Sequence, residues 1–452
     1  MSLPLLSTAQ AQALKLEDVL ESVKRHYPPL LAALEEVPLA DADLLQAEGQ
    51  FDLVVRGRFD SDSLGYYSNR YGDLSVEQPT TFQGMSLLGG YRLGQGSYPP
   101  YEGKLLTRSG GEWRTGLRLP LFRDRAIDKR RADLSKATLG REIARLSVQQ
   151  QRLVIGFLAS RRYWDWVAAG RRFSLTLAVL RIADTRQTFL DDSVKGGLLP
   201  AIDAADNRRA VIQRKGQVVE AERVLQQAAI ELSLYYRDAL GVSVLPRPEQ
   251  LPEGFPGGTA LSESQVREDT MAALGQRPDL PRLEAQRGQV QIDADYARNQ
   301  QLPAIDVYAA FTTESGEGPV RRGPQEFRAG LSFEFPWQRR SATGRLSAAE
   351  ARSRQIRQRE QFARDQVQAE VQDAASAVQT AFQRMQLAAD EVTVSRELED
   401  AERTRFELGE GTLFQLNLRE MATLESAQRD IAAKADYHRA VAAYKAAIGT
   451  ER

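Results

Sequence analysis

The sequence predicts an α+β chain made of two internal repeats, each a β segment followed by a long antiparallel α-helical hairpin. Three observations predict it. Short motifs recur at a fixed offset, proline vanishes from two long windows, and apolar/polar alternation is confined to the stretches just before those windows. Trp113-Arg-Thr-Gly-Leu-Arg-Leu-Pro-Leu-Phe122 matches Phe327-Arg-Ala-Gly-Leu-Ser-Phe-Glu-Phe335. Arg114/Arg328, Gly116/Gly330 and Gly197/Gly411 all lie 214 residues apart. Nearer each start, His26-Tyr-Pro-Pro-Leu30 resembles Gln276-Arg-Pro-Asp-Leu280 at an offset of 250, so the first repeat carries 36 extra residues between these landmarks.

The first element is the N-terminal stretch 1–13, read as a residual signal peptide or a structureless N-terminus. Ala9, Ala11 and Ala13 resemble the small-residue end of a secretory cleavage site, but the basic start and full apolar core of a leader are missing. Repeat 1 covers 14–241: a short helix, a β segment at about 51–122 and a hairpin at 126–241. Within that β segment Phe51–Ser63 and Trp113–Phe122 alternate apolar and polar residues, and the insertion at 66–110 adds a strand-like run at Thr81–Leu93. Tyr66, Tyr67, Tyr71, Tyr91, Tyr98 and Tyr101 mark the insertion as an aromatic belt with an enlarged surface loop. Whether it adds strands or only a loop is left open.

No proline occurs between Pro120 and Pro200, and Ile143, Leu146, Leu153, Phe157, Trp164 and Val167 recur at heptad-like spacing. The 65 residues from Ala126 to Leu190, read as one helix, span roughly 100 Å at about 1.5 Å per residue. A break at Gly196-Gly197 leads to a return helix through Gln213–Leu240. Residues 242–259, rich in proline and glycine, read as an extended linker. Repeat 2 covers 260–449: a short helix, a β segment at 305–335 with strands Ile305–Thr313 and Phe327–Phe335 around the loop Gly316–Gly323, and a hairpin at 341–449. In that hairpin Ser341–Glu407 is one arm, Gly409-Glu-Gly411 the turn and Thr412–Ile448 the return, and no proline follows Pro336.

Composition narrows function. With 60 basic and 61 acidic side chains the net charge is −1, which gives no reason to expect nucleic acid as a partner. Cysteine is absent and only His26 and His438 supply imidazole, so thiolate zinc, iron–sulfur and cysteine-nucleophile chemistry have no material here, and no lipidated cysteine is expected. No phosphate-binding loop or dinucleotide fingerprint occurs, and Trp164-Asp-Trp166 reads as packing between helices. No enzyme activity, cofactor or metal is expected. No run of 18 apolar residues occurs, which removes a transmembrane helix and leaves a β-barrel open.

Taken together, the proline-marked repeat starts, Leu302-Pro303-Ala-Ile-Asp306 entering a strand, Gly116-Leu-Arg-Leu-Pro-Leu-Phe122 leaving one, and the glycine turns at each hairpin tip resemble the TolC-like outer membrane factors over about Leu16 to Gly449. The resemblance implies a homotrimer in a Gram-negative outer membrane. Each copy lends four or more strands to one transmembrane barrel, and the hairpins form a coiled-coil tunnel in the periplasm. It implies the outer-membrane exit duct of a tripartite efflux pump or type I secretion system, a passive passage whose partners are a periplasmic adaptor protein, an inner-membrane transporter and outer-membrane lipid. The physics agrees on one point: a few strands cannot close alone, and open edges are intolerable in lipid. A soluble trimeric coiled-coil scaffold with a β docking domain is the alternative.

Two sets of site residues follow. Asp203 and Asp206 after Gly197, and Asn417 and Glu420 after Gly411, stand three residues apart on one helical face each. The resemblance implies that acids at the second pair's positions ring the periplasmic aperture, from which Asn417 departs. Adaptor docking is expected at the tips, at Gly196, Gly197, Leu198, Leu408, Gly409, Gly411 and Thr412, with Leu198, Leu408 and Leu413 exposed and the glycines left-handed. Basic runs at Arg123, Arg125, Lys129, Arg130, Arg131 and at Arg339, Arg340, Arg345, Arg352, Arg354 open the long helices, near lipid head groups or subunit contacts.

Overall fold

The structure is a computed structural model that describes residues 13–197, 199–318 and 325–450 of the 452. The leader-like residues 1–12, Leu198 and much of the Gly316–Gly323 loop lie outside the described residues. Repeat 1 begins with three helices rather than one: α1 (Leu16–His26), α2 (Pro28–Leu34) and α3 (Glu36–Glu48). Pro28 forces the first break, since proline cannot donate to the preceding turn and holds Tyr27 extended. Repeat 2 begins with α6 (Glu263–Gln276) and α7 (Asp279–Asn299), split at the matching Pro278.

The long arms are uninterrupted: α4 (Lys129–Lys195) and α8 (Arg340–Glu407), returning as α5 (Ala201–Ser233) and α9 (Leu413–Ala447). The α5 helix stops seven residues short of the expected Leu240. The Asp238 Oδ1 carboxyl oxygen accepts from the backbone N–H groups of Leu240 and Val242 and organises a turn around Gly241, whose φ is +78°. The linker is no free spacer either. Gln250 carbonyl accepts from Leu14 N–H at 2.9 Å, and Leu251 and Phe255 pack on the nearby core.

Among the described residues six strands form one antiparallel sheet in chain order: β1 (Val54–Asp62), β2 (Asn69–Pro79), β3 (Ser86–Gly96), β4 (Glu112–Pro120), β5 (Ala304–Glu314) and β6 (Gln325–Glu334). The insertion therefore supplies two strands of the sheet. The run Thr81–Leu93 is shared between a turn at 80–85 and β3. No expectation covered β2, because Arg70, Asp73 and Glu77 give it the look of a polar loop until partner strands pair the two acids.

The chain divides into two compact units, each drawn from both repeats. One holds the sheet within Glu36–Leu146 and Pro281–Phe362. In it the turn after β4 meets the helices at one end of the sheet: Asp124 backbone N–H donates to Asn299 Oδ1 at 2.7 Å and Gln300 Nε2 donates to Asp124 Oδ1 at 2.7 Å, while Lys136 of α4 pairs with Asp293 of α7 at 3.0 Å. Several basic-run residues act here. Arg131 donates to the Asp124 carbonyl and pairs with Asp128, Lys129 pairs with Asp133 at 2.6 Å, and Arg123 pairs with Glu334 at 3.3 Å.

The other unit takes in the described residues of Met1–Glu35, Ser147–Leu280 and Ala363–Arg452. Its main core joins Val19, Val23 and Leu30 to Tyr163, Trp164, Trp166, Val167 and Leu232. Trp166 is fully buried, and Trp164 stacks on His438 at 4.2 Å, so this aromatic cluster packs between helices. Burial lowers the His438 pKa against a raising hydrogen bond to the Pro256 carbonyl, so the ring is held neutral. Among the described residues no helix is long and apolar enough to cross a membrane, and no His/Cys/Asp/Glu group has the makings of a metal site.

Candidate functional site: a two-faced sheet and two hairpin tips

Strand pairing sorts the sheet into two faces with opposite chemistry. Residues that share a face across an antiparallel ladder are fixed by the register. The line Val55–Val76–Gly89–Thr115–Phe311–Phe327 runs along one face, and Leu74, Leu87, Leu93, Leu117, Leu119, Ile305, Val307, Leu331 and Phe333 occupy the same face. Phe59, Phe327, Leu331 and Phe333 there are 74, 70, 68 and 69% exposed. Tyr91 and Trp113, also on this face, lie 4.9 Å apart. Few water-facing sheets display such a continuous apolar surface.

The opposite face carries Arg56, Arg58, Asp60, Asp73, Glu77, Arg92, Glu112, Arg114, Arg118, Asp306, Glu326, Arg328 and Glu334. They pair across strands, as in Arg56–Glu77 at 3.0 Å, Arg92–Glu112 at 2.6 Å and Arg114–Asp73. Arg328 and Glu334, which must avoid lipid in any membrane reading, both lie on this polar face. Strand alternation alone puts them there.

At the tips, each α-helical arm ends on a left-handed glycine. Gly197 (φ +73°) donates to the Val194 carbonyl at 3.0 Å, and Gly409 (φ +81°) donates to that of Phe406 at 3.0 Å. Gly411 differs from expectation. Its φ is not left-handed; instead an added Cβ would sit 3.0 Å from Phe406 N and 3.1 Å from Glu402 Oε1, so the constraint is space. Thr412 caps α9, its hydroxyl accepting from Gln415 N–H at 3.3 Å. Gly196 closes α4 by donating to the Asp192 carbonyl at 3.0 Å.

Leu413, expected to be exposed, is 4% exposed and packs with Leu190 and Ala204. It is the first residue of α9, directly after the Thr412 cap, and the α4–α5 hairpin covers it. Leu408 is exposed as expected, and Phe414 joins it at the surface.

Asp203 lies in the first turn of α5, half-buried, with Asp206 exposed one turn on. Asn417 and Glu420 do share a face, and that face meets arginine. Arg186 of α4 donates to Asn417 Oδ1 at 3.1 Å and grips Glu420 with both terminal nitrogens; Arg214 of α5 donates to Glu420 Oε2 at 2.7 Å. Burial by itself raises the Glu420 pKa, but the hydrogen bonds and charge of Arg186, then Arg214, outweigh it and hold the carboxyl below its ordinary range. Glu420 is therefore a carboxylate neutralised by arginines of its own chain. The two arginines were missed in the sequence, although a signal existed. In α5, Ala204, Asn207, Val211 and Arg214 follow each other at spacings of three and four, so a polar side chain occupies two core positions of the hairpin.

With this geometry in view, comparison with known proteins falls into place. Residues 271–450, most of the second repeat, match the family model described as outer membrane efflux protein, the likeness expected from the motifs. No curated protein matches the chain by sequence. Among solved structures, the open-state MtrE outer membrane channel of Neisseria gonorrhoeae is 16% identical with a TM-score of 0.69, covering 100% of this chain and 94% of that one. VceC, an outer membrane protein of Vibrio cholerae, is 16% identical with a TM-score of 0.66, covering 96% of each chain. The CmeC outer membrane channel of Campylobacter jejuni is 16% identical with a TM-score of 0.65, covering 96% of this chain and 85% of that one. At such identities the likeness speaks for the fold, and the fold is that of the TolC-like channels.

Proposed function

We infer that this chain is the outer-membrane exit duct of a tripartite efflux pump or type I secretion system, with its helical hairpins in the periplasm. The observation that carries it is the sheet with one continuous apolar face, one charged face and, among the described residues, two unpaired edges. The apolar face suits lipid, the charged face suits a watery lumen, and the edges demand further copies of the chain because lipid cannot satisfy open backbone groups. A soluble scaffold would leave Phe59, Phe327, Leu331 and Phe333 in water. The copies form a homotrimer that works with a periplasmic adaptor and an energised inner-membrane transporter, since passage through this chain is passive.

At the tips, Gly196, Gly197, Leu198, Leu408, Gly409, Gly411 and Thr412 receive the adaptor. Asp203 and Asp206 face the periplasmic aperture, while Asn417 and Glu420 shape it through the Arg186–Arg214 clamp rather than as bare ring charges. The test is extraction of the membrane fraction after expression with a secretory leader. A detergent-dependent particle of three 50.4 kDa chains is expected, and a detergent-independent soluble species would overturn the reading. Replacing Gly197 and Gly411 by tryptophan should stop export and leave that particle intact; retained export would reject docking at the tips.

A further inference from the structure

We propose that three copies join edge to edge, β6 of one against β1 of the next, into a single eighteen-stranded barrel, in which the β2–β3 hairpin widens the exit pore. This rests on the trimeric exit-duct reading and goes beyond it. The sheet itself supplies the evidence that β2 and β3 belong to the barrel wall.

The ladder line Val54–Glu77–Leu88–Gly116–Ala310–Arg328 crosses all six strands. It begins at the helix-side end of β1 and lies six residues from that end of β6, which finishes at Glu334. Six residues over five strand steps, at about 3.3 Å per residue and 4.8 Å per step, is a slope of about 40°, inside the 35–45° of closed barrels. The slope is shared by the steps into and out of the hairpin.

The connections agree. The turn at 80–85 is short and lies at the helix side, where Arg125 Nε donates to Gln83 Oε1 at 3.2 Å. The links after β1 and β3 and the described start of the link after β5 lie at the other end and bond to one another. Ser97 N–H donates to the Ser68 carbonyl at 2.9 Å, and Ser109 N–H to that of Glu317 at 2.9 Å. Short turns on one side and longer loops on the other are the habit of outer-membrane barrels.

The two free edges are complementary. One further stagger of two residues, like three of the five already present, sets Glu334 beside Arg56 of the adjoining copy and Arg328 beside its Asp62 on the polar face. On the apolar face it sets Leu331 beside Phe59 and Phe333 over Gly57. Opposite charges and a large side chain facing glycine both favour this seam. At about 4.8 Å between strands and this slope, eighteen strands give a backbone radius of about 18 Å and twelve about 12 Å. The wider barrel keeps an aqueous lumen lined by the paired charges, so size selection falls to the helical part and the exit passes bulky hydrophilic cargo.

The test is cryo-electron microscopy of the full-length trimer in lipid nanodiscs, viewed along the pore. Eighteen strands are expected, with a radius about 1.5-fold that of a twelve-stranded wall. Twelve strands with residues 69–96 outside the wall would overturn the proposal while leaving the exit duct standing. A trimer with no barrel in the lipid would bring down the exit-duct reading itself. The chain contains no cysteine, so the variant R56C/E334C reads the seam directly. Disulfide-linked trimers on a non-reducing gel are expected, and an assembled trimer that stays unlinked would overturn the proposed seam.

Discussion

Removing the Glu420 carboxylate should loosen the hairpin tips far more than removing either arginine beside it. The side chains of Arg186, Arg214 and Glu420 retain only 10, 6 and 4% of their exposure, so water cannot screen what remains after a substitution. In Glu420→Gln two buried guanidiniums face each other with no counter-charge. Breaking a buried pair in this way costs about 3–5 kcal/mol. In Arg214→Leu the Arg186–Glu420 pair survives, neutral overall, and a leucine fills a heptad position. The loss is then one charge-assisted hydrogen bond, about 1.5–3 kcal/mol, offset in part by the apolar packing. The assay is hydrogen exchange on the purified full-length protein, following peptides across 180–214 and 413–427, with the sheet as internal reference. Glu420→Gln should raise exchange at both tips together, because the clamp ties α4, α5 and α9. Equal effects of the two variants, or faster exchange after Arg214→Leu than after Glu420→Gln, would refute the assignment of Glu420 as the neutralising centre.

Other expectations are simpler. The Glu420 carboxyl sits below its ordinary pKa, so its stabilisation is complete above the unfolded value near 4.5 and disappears as pH falls through the depressed folded value; tip exchange should accelerate only in that acid range. His438 is also depressed, so the unfolded chain takes up the proton first as pH drops below 6.5 and stability falls with it. His438→Phe keeps the stack on Trp164 and should flatten that slope in thermal melts between pH 5 and 8. Leu331→Lys places a charge mid-strand on the apolar face and should cost about 2–4 kcal/mol in unfolding from lipid, whereas Arg328→Gln on the polar face should change little. Gly409→Ala forces a side chain into a left-handed turn, about 1–2 kcal/mol, and should lower the melting temperature more than the same change at the helical Gly216.

The sequence alone determined the repeats, the long arms and the glycine turns, because each rests on local chemistry. Missing prolines permit helices of 67 and 68 residues, Pro28 and Pro278 break the helices before them, and Gly197 and Gly409 supply conformations that other residues resist. Tertiary structure decided what depends on partners distant in the chain. β2 reads as a charged loop until Arg56 and Arg114 pair with Glu77 and Asp73. Leu413 reads as surface until the neighbouring hairpin covers it, and Glu420 reads as an exposed acid until Arg186 and Arg214 arrive from residues more than 200 positions away. A charge or an apolar side chain has no fixed meaning by itself; its energy is set by the medium and the counter-charge that the fold brings to it.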